Sequence, residues 1–134
     1  MDNSLGTWKL NIEKSKYTPA PFLFKSLSMI RSASDGGVKV TSTGVQADGK
    51  PSNSSYTAKY DGKDCPVTGA PWDTNALKQV DADTFTFTAK QASGKFHATG
   101  RTVISKDGKA MTTTASGTDA DGKAVSATLV YDKQ

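Results

Sequence analysis

Residues 105–123 read Ser105-Lys106-Asp107-Gly108-Lys109-Ala110-Met111-Thr112-Thr113-Thr114-Ala115-Ser116-Gly117-Thr118-Asp119-Ala120-Asp121-Gly122-Lys123. A run rich in threonine and alanine is bracketed by two copies of Asp-Gly-Lys, fourteen residues apart. That interval holds one strand and one tight turn. Glycine supplies the positive φ such a turn needs, and aspartate folds its carboxylate back onto the chain. The rhythm extends both ways. Ser93-Gly94-Lys95 stands fourteen residues before Asp107, and Asp35-Gly36, Asp48-Gly49 and Asp61-Gly62 follow one another at intervals of thirteen. Asp81-Ala82-Asp83 fills the remaining gap. Regular turns at this spacing describe an antiparallel meander, not βαβ units.

Between the turns Thr, Val, Ser, Tyr and Phe are frequent, residues that suit a pleated, half-buried surface. The pattern predicts strands over residues 6–11, 23–32, 38–46, 52–60, 63–67, 75–80, 84–91, 96–105, 110–118 and 125–133. An open meander of about ten strands leaves edges prone to pairing with other chains, and closure into a barrel removes them. The expectation is an all-β protein, a single antiparallel up-and-down barrel with at most one short helical turn. That turn is Ile12 to Tyr17, stopped by Pro19 and Pro21 and expected to cross one end of the barrel.

The 134 residues suffice for one domain with a real core, taken as residues 1–134. One cysteine, Cys65, excludes an internal disulfide. One histidine, His97, leaves no standard zinc set. Seventeen Lys and Arg against thirteen Asp and Glu give +4, but the lysines are scattered over turns and form no stripe interleaved with aromatics. No nucleic-acid partner is expected. No apolar run is long enough to span a membrane, and the residues before Gly6 do not read as a leader with a basic start and apolar centre. The compartment is read as cytoplasmic as written, or periplasmic or secreted if a leader was removed before Asp2.

The opening Gly6-Thr7-Trp8-Lys9-Leu10 resembles the Gly-x-Trp start of calycins, the group that holds lipocalins and fatty-acid-binding proteins. Its continuation through Tyr17 is similar to small bacterial lipocalin-like proteins of unassigned role. Thr128-Leu129-Val130-Tyr131-Asp132-Lys133 resembles the closing strand of the fatty-acid-binding branch. The resemblance implies a calycin-like barrel with an internal ligand and Trp8 plugging its closed end. Two departures stand out. Asn11 to Phe22 is too short for the two lid helices of that branch, and Leu129-x-Tyr131 occupies the place of its Arg-x-Tyr pair.

Strand alternation predicts the lining. Val125, Ala127, Leu129 and Tyr131 form the more apolar face of the last strand, as do Phe85, Phe87 and Ala89, Val38 and Val40, Tyr56, Ala58 and Tyr60, and Trp8 and Leu10 on theirs. Two strands stay open. Leu27, Met29 and Arg31 share one parity with Leu23 and Lys25, against Phe22, Phe24, Ser26, Ser28 and Ile30, and a bulge can switch them midway. On the strand from Phe96, either His97, Thr99, Arg101 and Val103 or their neighbours face in.

Chemistry has few candidates. Glu13 is the only glutamate, and the aspartates sit at turns and termini, so no paired-carboxylate machinery is expected. Cys65 precedes Pro66 and has only His97 as a possible base. Gly44 to Lys50 and Gly117 to Lys123 have the glycine and lysine spacing of a phosphate loop, but Pro51 and Ala124 stand where Ser or Thr is required. Asn53-Ser54-Ser55 matches a glycosylation acceptor. Tyr17, Pro19, Pro21, Phe22, Leu23 and Phe24, with Pro71-Trp72, form apolar loops that either line the mouth or plug an end.

The reading is a monomer that binds a small apolar or aromatic molecule inside the barrel without catalysis, metal or cofactor. Its site residues are Tyr56, Phe85, Phe87, His97, Arg101, Leu129 and Tyr131. Two alternatives remain: a small isomerase or lyase using His97 as general base, and a filled barrel that binds a macromolecule through its loops.

Overall fold

Each of the five Asp-Gly turns carries its glycine at positive φ: Gly36 at 70°, Gly49 at 88°, Gly62 at 76°, Gly108 at 73° and Gly122 at 85°. No aspartate shares that conformation. At three turns the carboxylate of Asp48, Asp61 or Asp107 accepts the backbone N–H two residues on, at 2.9–3.0 Å. At the last turn Asp119, rather than Asp121, does this work and accepts from both Asp121 and Lys123. The turns bend the chain locally, which is why their spacing was readable before any long-range contact.

The computed structural model describes residues 2–18, 22, 24–69, 73–91, 94–119 and 121–134. Pro19, Pro21, Leu23, Pro71, Trp72 and Ser93 lie outside the described residues, so the loop expectations resting on them are not resolved. The strands are β1 (Gly6–Leu10), β2 (Lys16–Thr18), β3 (Phe24–Ser34), β4 (Gly37–Gln46), β5 (Pro51–Lys59), β6 (Asp61–Thr68), β7 (Thr74–Gln79), β8 (Thr84–Lys90), β9 (His97–Ile104), β10 (Ala110–Thr118) and β11 (Ala124–Lys133). All pairings are antiparallel, in the order β1-β3-β4-β5-β6-β7-β8-β9-β10-β11, and β1 also pairs with β11, which closes the barrel.

The segment after β1 departs from expectation. Helical geometry ends after a single 3-10 turn over Ile12–Lys14, capped by the Asn11 side chain, which accepts from the Lys14 N–H. Residues 16–18 then pair with Ser126–Thr128 as a short extra strand. Instead of crossing an end, the segment runs up β11 where β1 left off. Asn11 N–H donates to the Val130 carbonyl and Val130 N–H to Ser15 Oγ, so edge groups of β11 are satisfied throughout the break.

On β3 the bulge is found between Phe24 and Ser26. It lets Phe24 pack on the core although Leu27 and Arg31, of opposite parity, are buried. The core has two parts. Trp8, Leu10, Leu27, Phe85, Ile104, Met111 and Tyr131 fill the end that holds the Asp35, Asp61 and Asp107 turns. Val38, Val40, Ala58 and Leu77 line the β4–β7 wall. Residues 2–5 fold under the first end. Trp8 is fully buried there, its indole N–H donating to the Ser4 carbonyl, with Lys133 Nζ 4.8 Å over its ring. Lys133 also donates to the Leu5 carbonyl, so the last strand clamps the plug.

Candidate functional site

The inward positions of β9, β10 and β11 follow from register. Met111 stands opposite Ile104 and Tyr131, Thr113 opposite Thr102 and Leu129, Ala115 opposite Gly100 and Ala127, and Gly117 opposite Ala98 and Val125. The lower two rows carry the large, buried Met111, Ile104 and Tyr131 and a Thr102–Thr113 hydroxyl pair at 3.0 Å. The upper two rows contain only Gly, Ala and Val, and every one is half-buried. The barrel is packed at its Trp8 end and thinly filled at the other along these strands.

Phe87 borders that thin region. A Cβ on Gly100 would stand 2.6 Å from Phe87 Cζ, so glycine is what lets the ring lie across the inside of β9. Phe87 also packs on the cluster that includes Tyr56 and Leu77. Leu129 is half-buried against the first core cluster. Phe85 and Tyr131 face inward as expected, but they lie deeper, within the packed half: both are buried, and the Phe85 ring meets the Tyr60 ring at 5.3 Å.

His97 and Arg101 are corrected. Both are exposed and project from the outer face of β9, because Ala98, Gly100, Thr102 and Ile104 hold the inner positions. Arg101 lies between Thr86 and Thr114 in a shallow outer groove of about 540 Å³ that Thr99, Ser116 and Thr128 help to line. Neither residue reaches the interior.

The interior cation is Arg31 instead. It is 6% exposed, and its Nε donates to Ser4 Oγ at 3.1 Å. The Ser4 hydroxyl in turn donates to Asp2, which also accepts from the Ser4 N–H and the Tyr60 hydroxyl. Burial and the Asp2 hydrogen bond push the Tyr60 phenol up to about 12. Register carries Arg31 to Val40 and Val40 to Tyr56, all on the inner face. The Tyr56 phenol is raised by burial, with Arg31 and hydrogen bonds from Arg31 and Asn75 pulling the other way. Tyr131 is raised further by burial, with Tyr56 nearby adding to the shift. Tyr56 as a residue is only half-buried, since its flank borders an outer cleft of about 300 Å³ with Lys39, Thr57 and Pro66. At that cleft β5 and β6 pair, among the described residues, at Ser55–Thr68 and Tyr56–Val67.

Asn75, on β7 opposite Cys65, completes the group. It is 6% exposed and its Oδ1 has no hydrogen-bond partner among the described residues. Sequence reading missed both residues. Arg31 carried a signal, the parity it shares with Leu27 and Met29. Asn75 carried only its alternation with Leu77.

No family model and no curated protein matches the chain. Solved structures do. The S-type phycobiliprotein lyase CPES from Guillardia theta is similar at a TM-score of 0.62 and 12% identity, over 98% of this chain and 88% of that one. EF1p2_mFAP2b bound to DFHBI is similar at a TM-score of 0.55 and 14% identity, over 98% and 94%. At such identities the likeness is one of fold alone, and the fold it supports is a closed, calycin-like antiparallel barrel.

Proposed function

We propose that this barrel binds a small hydrophobic or aromatic molecule in its upper half and performs no chemistry on it, as a monomeric lipocalin-like protein. The observation that carries the reading is the contrast along β9–β11. Large buried side chains fill the Trp8 end, while at the other end the inward positions are the small, half-buried Ala98, Gly100, Ala115, Gly117, Val125 and Ala127. A barrel of this size either fills itself or holds one small ligand, and small inward residues beside Phe87 and Leu129 favour the ligand. That EF1p2_mFAP2b is bound to DFHBI agrees with such a use of the fold.

The test uses N-phenyl-1-naphthylamine, an uncharged dye that brightens in apolar surroundings. The native protein should bind it at micromolar affinity. Ala127→Phe, which puts a ring into the thin region, should abolish binding while the far-UV spectrum stays that of a strand protein. Absence of binding to this and to other dye shapes, or binding that survives Ala127→Phe, would overturn the reading.

A further inference from the structure

The uppermost inner row of the thin half continues by register onto two further walls. Val125 stands opposite Gly117, Gly117 opposite Ala98, Ala98 opposite Ala89, Ala89 opposite Asn75, and Asn75 opposite Cys65. Asn75 is the one amide in a row otherwise made of Cys, Ala, Gly and Val. It is nine-tenths buried, and its Oδ1 is the one buried side-chain nitrogen or oxygen without a hydrogen-bond partner among the described residues. Such an orphan is costly and calls for a reason. Packing supplies none, since leucine would serve as well, as Leu77 does two residues on. A structural water is a poor reason too. Buried waters make about three hydrogen bonds. The neighbouring Leu77 and Ala89 offer a water nothing, and the Cys65 thiol already donates to the Lys63 carbonyl.

We propose that Asn75 decides which molecules this barrel accepts: the ligand is an uncharged aromatic compound bearing an O–H or N–H, and Asn75 Oδ1 accepts that donor near the rim. The inference rests on the reading of the upper half as a ligand site and adds the ligand's polar group. An amide oxygen only accepts, so an ionised acid gains nothing from it. An apolar isostere without the donor would leave the oxygen buried and unpaired, which is how a polar site rejects a near-identical molecule. Leu77 and Phe87, paired one row below, supply the apolar wall for the ring. Cys65 marks the place. Directly opposed side chains on paired strands stand about 4.5–5.5 Å apart at Cβ, so a ligand at Asn75 also covers the half-buried thiol.

The test pairs 2-naphthol with 2-methylnaphthalene, which differ by a hydroxyl against a methyl, and adds 2-naphthoate. Affinities are read by displacement of the naphthylamine dye, each protein calibrated with its own dye affinity. From native protein to Asn75→Leu, the ratio of naphthol to methylnaphthalene affinity should fall about tenfold, the size of one hydrogen bond to a buried acceptor. A purely structural role for Asn75 would not move that ratio. Should Asn75→Leu fail to fold, Asn75→Ala carries the same comparison. In the native protein 2-naphthoate should bind more weakly than 2-naphthol. Alkylation of Cys65, the single cysteine, by iodoacetamide should slow when 2-naphthol is bound, as read by whole-protein mass. An unchanged ratio, tighter binding of 2-naphthoate, or a Cys65 that reacts as fast with 2-naphthol bound each overturns this proposal and leaves the binding function standing. Failure of the native protein to bind the dye and all three naphthalenes overturns the function and the proposal together.

Discussion

The Trp8 indole N–H donates to the Ser4 carbonyl at 2.9 Å, and both residues are fully buried. This bond ties the first strand to the segment that seals the packed end, and Lys133 closes over the same ring from the last strand. Trp8→Ala should cost roughly 3–5 kcal/mol in a urea denaturation, through lost burial and the cavity left behind. Trp8→Phe should cost less, keeping most of the apolar contact while leaving the Ser4 carbonyl without its donor, roughly 1–3 kcal/mol. A loss under about 1 kcal/mol for the alanine variant would mean that the plug contributes no more than a surface contact.

Gly100 and Phe87 form a second dependent pair. Gly100→Ala sets a methyl 2.6 Å from the Phe87 ring and nearer still to the Thr114 carbonyl oxygen. Overpacking of this kind should cost about 1–3 kcal/mol. Adding Phe87→Leu should recover part of the loss by freeing the ring's space, while the backbone clash persists. Strictly additive losses in the double variant would show that the ring and the glycine are not coupled.

His97→Ala and Arg101→Ala should leave stability within about 0.5 kcal/mol, since both side chains are exposed on the outer face of β9. Neither should alter binding of the neutral naphthylamine dye. A marked loss of dye affinity in either variant would place the binding site in the outer groove around Arg101 rather than inside the barrel.

All four tyrosines titrate above the ordinary phenol value of 10: Tyr17, Tyr56, Tyr60 and Tyr131, each chiefly because burial disfavours the phenolate. The unfolded chain releases these protons near pH 10, and the folded protein holds them longer. The stability they lend is therefore intact below about pH 10 and is lost as pH rises through the Tyr60 value of about 12. Urea midpoints should fall between those values, and tyrosinate absorbance should lag the free phenol until the fold gives way. In Tyr60→Phe the fall should be shallower. A tyrosinate titration centred at pH 10 with the fold intact would refute the buried network.

The barrel was legible in the chain because its determinants are local. Asp-Gly turns need only glycine's freedom and a carboxylate two residues from an N–H, so their spacing announces hairpins before any tertiary contact exists. Alternation then sorted Phe85, Phe87, Leu129 and Tyr131 inward, since a strand with one buried face must carry its apolar residues at period two. Where both parities are equally mixed, alternation has nothing to sort. On β9 the inner row is settled by Phe87, which requires Gly100 beneath it and thereby sends His97 and Arg101 outward. On β3 the bulge at Phe24–Ser26 and the Ser4 hydroxyl turn Arg31 inward. Residues 16–18 carry no strand signal of their own and pair only because β11 presents an unfilled edge above β1. The inward polar residues Arg31, Tyr56 and Asn75 come from three strands far apart in the chain. Their placement depends on barrel closure and register, which no local pattern of residues encodes.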